Sequence, residues 1–247
     1  MMKPILNTDA LSIAFGGLKA VDAVTIAAMP NEITTVIGPN GAGKTTLFNL
    51  ISGALSPSSG TVYLDGKDVT RDGPAALQKN GLARSFQITN LFFEMTVREN
   101  LRLAAQVLEP VSHALRPLRR TGRAAQKVDE LIDRFELHAK THEQVGYLSH
   151  GEQRRLEIGM CLACEPKVLM LDEPTQGMSH ADTEETEEMI RGLTDSVSIL
   201  LIEHDIGIVM AVSDHVVVMH QGQKIADGTP NEVRANPAVQ AAYFGNG

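Results

Sequence analysis

The chain has 247 residues, 43% of them apolar and 21% charged, with 22 basic against 30 acidic side chains and a net charge of −8. That length buries a sizeable core, as one large domain or one domain with a subdomain, and the acidic balance argues against general nucleic-acid binding. Its longest apolar stretches, such as residues 168–171 and 197–202, fall far short of the roughly 18 residues that cross a bilayer.

The opening Met1-Met2-Lys3-Pro4-Ile5-Leu6-Asn7 lacks the long apolar segment of a secretory signal, so the expectation is a cytoplasmic chain that reaches a membrane through a partner. Residues 11–15 and 24–28 read as short strands around Gly16-Gly17, a β-rich opening. Phe15 reads either as a core aromatic or as a ring that stacks on a base.

Ile33-Thr34-Thr35-Val36-Ile37 then reads as a buried strand and Leu47 to Ile51 as the first turns of a helix. Between them stands Gly38-Pro39-Asn40-Gly41-Ala42-Gly43-Lys44-Thr45-Thr46. Strand, glycine loop and helix in that order are the context a P-loop requires, with Gly38, Gly43, Lys44 and Thr45 at its spacing. Glycines let the backbone wrap an anion, Lys44 reaches the terminal phosphates of a nucleotide and the Thr45 hydroxyl is offered to Mg²⁺.

A turn cluster at Gly53 and residues 57–60 precedes a strand over residues 61–64 and a tight turn at Asp65-Gly66. Residues 81–87 read as a further strand that ends at Gln87, which reads either as an amide that contacts a metal or a water or as an ordinary loop residue. From residue 96 to 143 the sequence turns helical, with apolar residues at helical spacing over 97–105 and 124–135. A basic connector joins those two stretches and carries Arg116, Arg119, Arg120 and Arg123; it reads as a solvated loop or as a contact with a partner or anionic headgroups.

Ser149 and Glu152 have the spacing of a capping box, so a helix starts there, which reads either as a purely structural cap or as an anion site on its orphan N–H groups. Cys161 and Cys164, spaced C-x-x-C in that helical stretch, read as small buried core residues rather than a redox dithiol. Val168-Leu169-Met170-Leu171-Asp172-Glu173-Pro174 is a buried strand ending in two acids. Asp172 fits a Mg²⁺ ligand beside Thr45, and Glu173 a base for an attacking water. Residues 198–202 repeat the design and end near His204, which reads either as structural or as a partner for a γ-phosphate. Residues 215–219 and 223–227 read as a hairpin about Gly222, and the last twenty residues as short polar helices.

The whole constellation resembles the ATP-binding cassette (ABC) family across essentially the full chain. It rests on GPNGAGKTT, Gln87, LSHGE, VLMLDEP and LLIEHD in the family's order. The resemblance implies an α/β P-loop fold with an N-terminal antiparallel β subdomain, a parallel-sheet core and an inserted helical subdomain. As one nucleotide-binding domain, residues 1–87 and 165–247 would form the core and about 88–164 the helical part and signature helix. It further implies a head-to-tail dimer with two ATP molecules at its interface. In that dimer Phe15 stacks on adenine, Gln87 senses Mg²⁺ and water, and His204 holds the γ-phosphate of its own subunit. Ser149 and Gly151 reach the γ-phosphate bound by the opposite subunit. His150 and Glu152 depart from the usual signature, and a left-handed backbone at position 150 would be strained.

Within the family, FGGLKAVDAV, ARSFQITNLFFEMTVRENL and AAYFG look like the ATPase subunits of importers for branched-chain amino acids and related small polar solutes. LSHGE, DEPTQGMSHAD and IEHDIGIVM are similar to urea and amide importers of the same branch, and the likeness to a lipopolysaccharide exporter is weaker. The partners so implied are transmembrane permease subunits, a second ATPase subunit, identical or related, and, indirectly, a periplasmic solute-binding protein, with the chain on the inner face of the cell membrane. Leu91-Phe92-Phe93 is the candidate grip on a permease helix or an ordinary buried turn. The rival readings are a non-transport ABC-type ATPase and a nucleotide-binding regulatory module that does not hydrolyse.

Overall fold

Strand β1 (Leu6–Phe15) turns at Gly16 into β2 (Leu18–Val24), and β3 (Ala27–Ala28) leads to the fully buried β4 (Ile33–Ile37). This computed structural model describes residues 3–85, 91–109 and 122–244. After β4 come α1 (Lys44–Ile51), β5 (Ser59–Leu64), β6 (Lys67–Asp68), α2 (Pro74–Asn80) and β7 (Leu82–Arg84). Helices α3 (Val97–Ala105), α4 (Arg123–Arg134) and α5 (His150–Leu162) follow. The chain returns to strand at β8 (Val168–Asp172) and passes through α6 (His180–Leu193), β9 (Ser198–Ile202) and α7 (Ile206–Val212). It closes with the hairpin β10 (His215–His220) and β11 (Gln223–Gly228), then α8 (Pro230–Ala235) and α9 (Pro237–Phe244).

Packing divides the chain into two units. Met1–Arg84, Lys167–Pro174 and Glu187–Gly247 form one, Ser85–Pro166 and Thr175–Thr186 the other. The first holds two sheets. One is antiparallel in the order β2-β1-β5-β6, with β3 also paired to β1. The other runs β11-β10-β4-β9-β8-β7, parallel from β10 to β7, with β11 antiparallel at its edge. Every residue of β4, β8 and β9 is buried, as continuous apolar runs in a parallel sheet require. Leu47, Phe48, Leu50 and Ile51 of α1 join one core with Leu6, Leu11 and Leu64 from the antiparallel sheet and Val36, Met170 and Leu200 from the parallel one. Each such side chain contributes about 1.5–3 kcal/mol by leaving water, and together they fix the base of α1.

The second unit is helical. Ala124, Val128, Leu131 and Ile132 bury one face of α4, at the spacing of an amphipathic helix. At Gly159 of α5 an added Cβ would meet the Phe135 ring at 3.2 Å and Leu101 at 3.4 Å, so the glycine permits close packing of that helix. Thr96 and Glu99 cap α3 reciprocally, and Ser149 and Glu152 cap α5 as their spacing predicts.

Several expectations need correction. The strand expected over residues 81–87 ends at Arg84; Gln87 lies outside the described residues, as do Arg116, Arg119 and Arg120. Cys161 and Cys164 are not joined in a disulfide and are half-buried as residues rather than fully enclosed in the core. Burial pushes the Cys161 thiol up to about 12, and Cys164 lies beyond the helix end, where its thiol donates to the Cys161 carbonyl at 3.2 Å. Helix α9 is not polar: it buries Val239 and packs Tyr243 against the core. No helix among the described residues is long and apolar enough to cross a membrane.

Candidate functional site

The glycine loop sits at the C-terminal end of β4, and its glycines are there for two different reasons. A Cβ on Gly38 would lie 2.2 Å from the Met219 carbonyl oxygen, and one on Gly43 2.3 Å from that of Ala20. Both positions also have left-handed φ, 154° and 99°. Gly41, at φ 78°, has open space where its Cβ would be, so backbone conformation alone selects glycine there. The loop is thus clamped within the first unit: β2 lies against Gly43, Met219 against Gly38, and the Gly222 N–H donates to the Ala42 carbonyl at 3.0 Å. Pro39 is half-buried and Asn40 exposed on the rim.

Helix α1 begins at Lys44, and Gly43, its N-cap, supplies no side-chain cap. Its first N–H groups are therefore the anion-binding donors such a helix end provides. Thr45 is exposed and Thr46 half-buried in that first turn. The Lys44 ammonium is buried and donates to the carbonyls of Gly38 at 2.7 Å and Pro39 at 3.2 Å. Burial lowers its pKa, while the charges of Glu173 and Asp172 pull it back up. Lysine and both acids thus belong to one electrostatic site.

Asp172 ends β8 and is 4% exposed. Its carboxylate is 3.3 Å from the Arg84 guanidinium, which also donates to Asn49 at 2.7 Å and Ser52 at 2.8 Å. Glu173 follows with φ 47°, and its N–H donates to the Ile202 carbonyl at 3.0 Å. A left-handed glutamate is costly. Here the carboxylate it holds in place lies 3.6 Å from His204 Nδ1. His204 itself is exposed, just past β9, beside the buried carboxylate of Glu203. Phe15, at the β1–β2 turn, is 51% exposed, which removes the core-aromatic reading.

Ser149 and Gly151 lie in the second unit at the start of α5. The Ser149 hydroxyl accepts from the Glu152 N–H, and the Glu152 carboxylate accepts from the Ser149 N–H at 2.8 Å. His150 is the first residue of α5 and is not among the left-handed residues, so the strain expected at that position does not arise. Gly151 has ordinary φ, and a Cβ there would meet only Asp182, at 3.4 Å.

Arg84 is the participant that sequence reading passes over. The signal was present as a cation closing the otherwise apolar Leu82-Ala83 strand, but Asn49 of α1, Ser52 just past its end and Asp172 of β8 meet it only in the fold.

A glycine loop clamped at a strand end, an uncapped helix start, a buried lysine and two strand-end acids define a P-loop nucleotide-binding protein. A model of the ABC transporter family matches residues 21–176, and one described as branched-chain amino acid ATP-binding cassette transporter matches residues 223–247. The chain is 40% identical to the high-affinity branched-chain amino acid transport ATP-binding proteins BraF of Pseudomonas aeruginosa and LivG of Escherichia coli, over 99% of this chain and 99% of each of them. It is 35% identical to a probable LivG of Archaeoglobus fulgidus, over 98% of this chain and 95% of that one. A solved ATP-binding cassette of an ABC transporter in its ADP conformation superposes with a TM-score of 0.88 at 33% identity, covering 99% of this chain and 100% of that one. The chain belongs to the ABC transporter family, as one of its ATP-binding cassettes. It is an ATPase and a subunit of a transporter whose partners are membrane permeases.

Proposed function

We propose that the chain binds and hydrolyses ATP to drive an importer for branched-chain amino acids. The observation that carries this reading is similarity along the full chain, 40% over 99%, to proteins named for that transport, joined by the match over residues 223–247. These names favour that solute class over the urea and amide reading.

In this reading the chain is a single nucleotide-binding domain, held at the inner face of the membrane by its permeases. Residues 38–46 wrap the phosphates and Lys44 reaches the terminal ones. Thr45 and Asp172 are oxygen donors suited to Mg²⁺, with Gln87 as a further ligand. The exposed Thr45 hydroxyl and the strand-end carboxylate fit that ion's preference for one or two protein ligands. When bound, Mg²⁺ neutralises charge on the phosphates. Glu173 accepts a proton from the attacking water, and His204, beside it, orients the γ-phosphate. Phe15, half-exposed at a turn, offers its face to adenine.

Gly151 carries no side chain over the start of α5, and Asp182 alone lies near its Cβ position, at 3.4 Å; this supports a close approach by phosphate to that helix start, supplied by a second ATPase chain in a head-to-tail dimer. An intact γ-phosphate then stabilises the closed pair, and hydrolysis removes that contact. A periplasmic solute-binding protein delivers the solute to the permeases.

The test is Glu173→Gln. Nucleotide affinity should hold while ATP hydrolysis falls by about 10²–10⁴-fold and dimers accumulate with ATP. Undiminished hydrolysis would remove Glu173 as the base. In the assembled complex, leucine, isoleucine or valine should stimulate the ATPase; stimulation by urea instead would overturn the solute assignment.

A further inference from the structure

The first unit contains a cavity of about 790 Å³ that the nucleotide reading does not use. That is within the roughly 300–1,000 Å³ of small-molecule sites. Its walls are apolar: Ile37, Val209, Val216, Val233 and Val239, with the ring of Tyr243. Arg234 is the charged residue of the lining; it is exposed and makes no ion pair among the described residues. An apolar body with one cation at the mouth is complementary to an aliphatic carboxylate, whose chain leaves water while its head meets a guanidinium.

Two walls of this cavity lead to the ATP-binding residues. Ile37 is the last residue of β4, next to Gly38, and Val209 belongs to α7, which starts two residues after His204. Tyr243 is the third link. Its hydroxyl is shut off from solvent and lies against the Gly38 backbone. Burial pushes this phenol up to about 12, so it stays neutral. A ligand that moves the ring would change this contact with the first glycine of the phosphate loop.

We propose that the cavity between α7, α8 and α9 is an effector site for a medium-chain aliphatic carboxylate, held by Arg234 and the valine walls and coupled to nucleotide affinity through Tyr243 and Gly38. A ligand that packs against the ring favours one position of the hydroxyl, and a differential contact of that kind is what couples two sites.

The experiment uses the full chain with decanoate as the probe and calorimetry as the readout. Nucleotide is titrated first without decanoate, so that a failed ATP site is recognised separately from a failed effector site. Decanoate should then bind saturably, and its presence should change nucleotide affinity by about fivefold or more. Arg234→Gln, at the exposed mouth, should weaken decanoate roughly tenfold, the loss of one charge-assisted contact. Val233→Trp should fill the cavity and abolish binding. Tyr243→Phe keeps the ring, so decanoate should still bind but no longer alter nucleotide affinity. Absence of saturable binding to the native chain overturns the proposal. Binding unchanged in both Arg234→Gln and Val233→Trp places decanoate elsewhere and overturns it too. A nucleotide response that survives in Tyr243→Phe overturns the coupling route.

Discussion

Arg84 shows how much one side chain can organise. Its side chain is 11% exposed, its guanidinium reaches Asn49 of α1, Ser52 at that helix's end and Asp172 of β8, and it lies 5.8 Å over the Phe48 ring. A planar fork suits such a site, which a lysine does not reproduce. Arg84→Met takes a partner from a buried carboxylate, so stability should fall by about 3–5 kcal/mol in urea unfolding. A second residue-scale device is His215, which pairs with Asp227 across the β10–β11 hairpin, where Lys224 also reaches Asp227. The Asp227 contact raises the His215 pKa from its ordinary 6.5, and the same contact lowers Asp227 from 3.8 to about 2. The histidine's contribution is full below 6.5 and is lost as pH rises through its raised folded value. The carboxylate's contribution is full above 3.8 and lost as pH falls through about 2. His215→Gln should therefore lower the melting temperature at about pH 5 and have little effect near pH 9. An equal loss at both would show that the pair does not titrate as its geometry requires.

Among the elements, the phosphate loop depends on chain far away in sequence. Ala20 of β2 and Met219 of β10 approach it so closely that glycine is enforced at positions 43 and 38. Gly43→Ala meets both a left-handed φ and a backbone oxygen, and should cost more than the roughly 1–3 kcal/mol of the dihedral strain alone. Nucleotide binding should fail with it. Gly41→Ala meets open space, so its cost should stay within about 1–3 kcal/mol. Thermal melts with nucleotide titration separate the two variants, and equal costs would refute the clamp. Turn chemistry of the same local kind sets α5, where Ser149 and Glu152 close a capping box.

For the whole molecule, docking to the permeases concerns the exposed apolar side chains. Phe92 and Phe93 are 52% and 44% exposed on the second unit, while Leu91 beside them is buried. Asn100, itself buried, holds this turn rigid: it accepts from the Phe92 N–H at 2.9 Å and donates to the Phe92 carbonyl at 3.1 Å. Aromatic side chains kept out of the core on a fixed turn are suited to a partner's apolar helix. Phe92→Ser together with Phe93→Ser should reduce recovery of the chain with its permeases several-fold, while nucleotide binding by the isolated chain is unchanged. Full recovery would move the docking surface elsewhere.

By itself the sequence determined whatever depends on short-range pattern. The runs at 33–37, 168–172 and 198–202 are apolar enough to be buried strands in any arrangement, glycine spacing marks the phosphate loop, and Ser149 with Glu152 marks a helix start. These signals are local because strand burial, left-handed turns and caps are settled within a few residues. Strand order was not legible, since β4 pairs with β9 and β10, more than 150 residues downstream. Tertiary structure alone put Arg84 on Asp172, Glu173 in a left-handed turn beside His204, and Tyr243 against Gly38. Each of these follows from which elements become neighbours, and that choice is made by burying the whole core at once, where no window of sequence carries it.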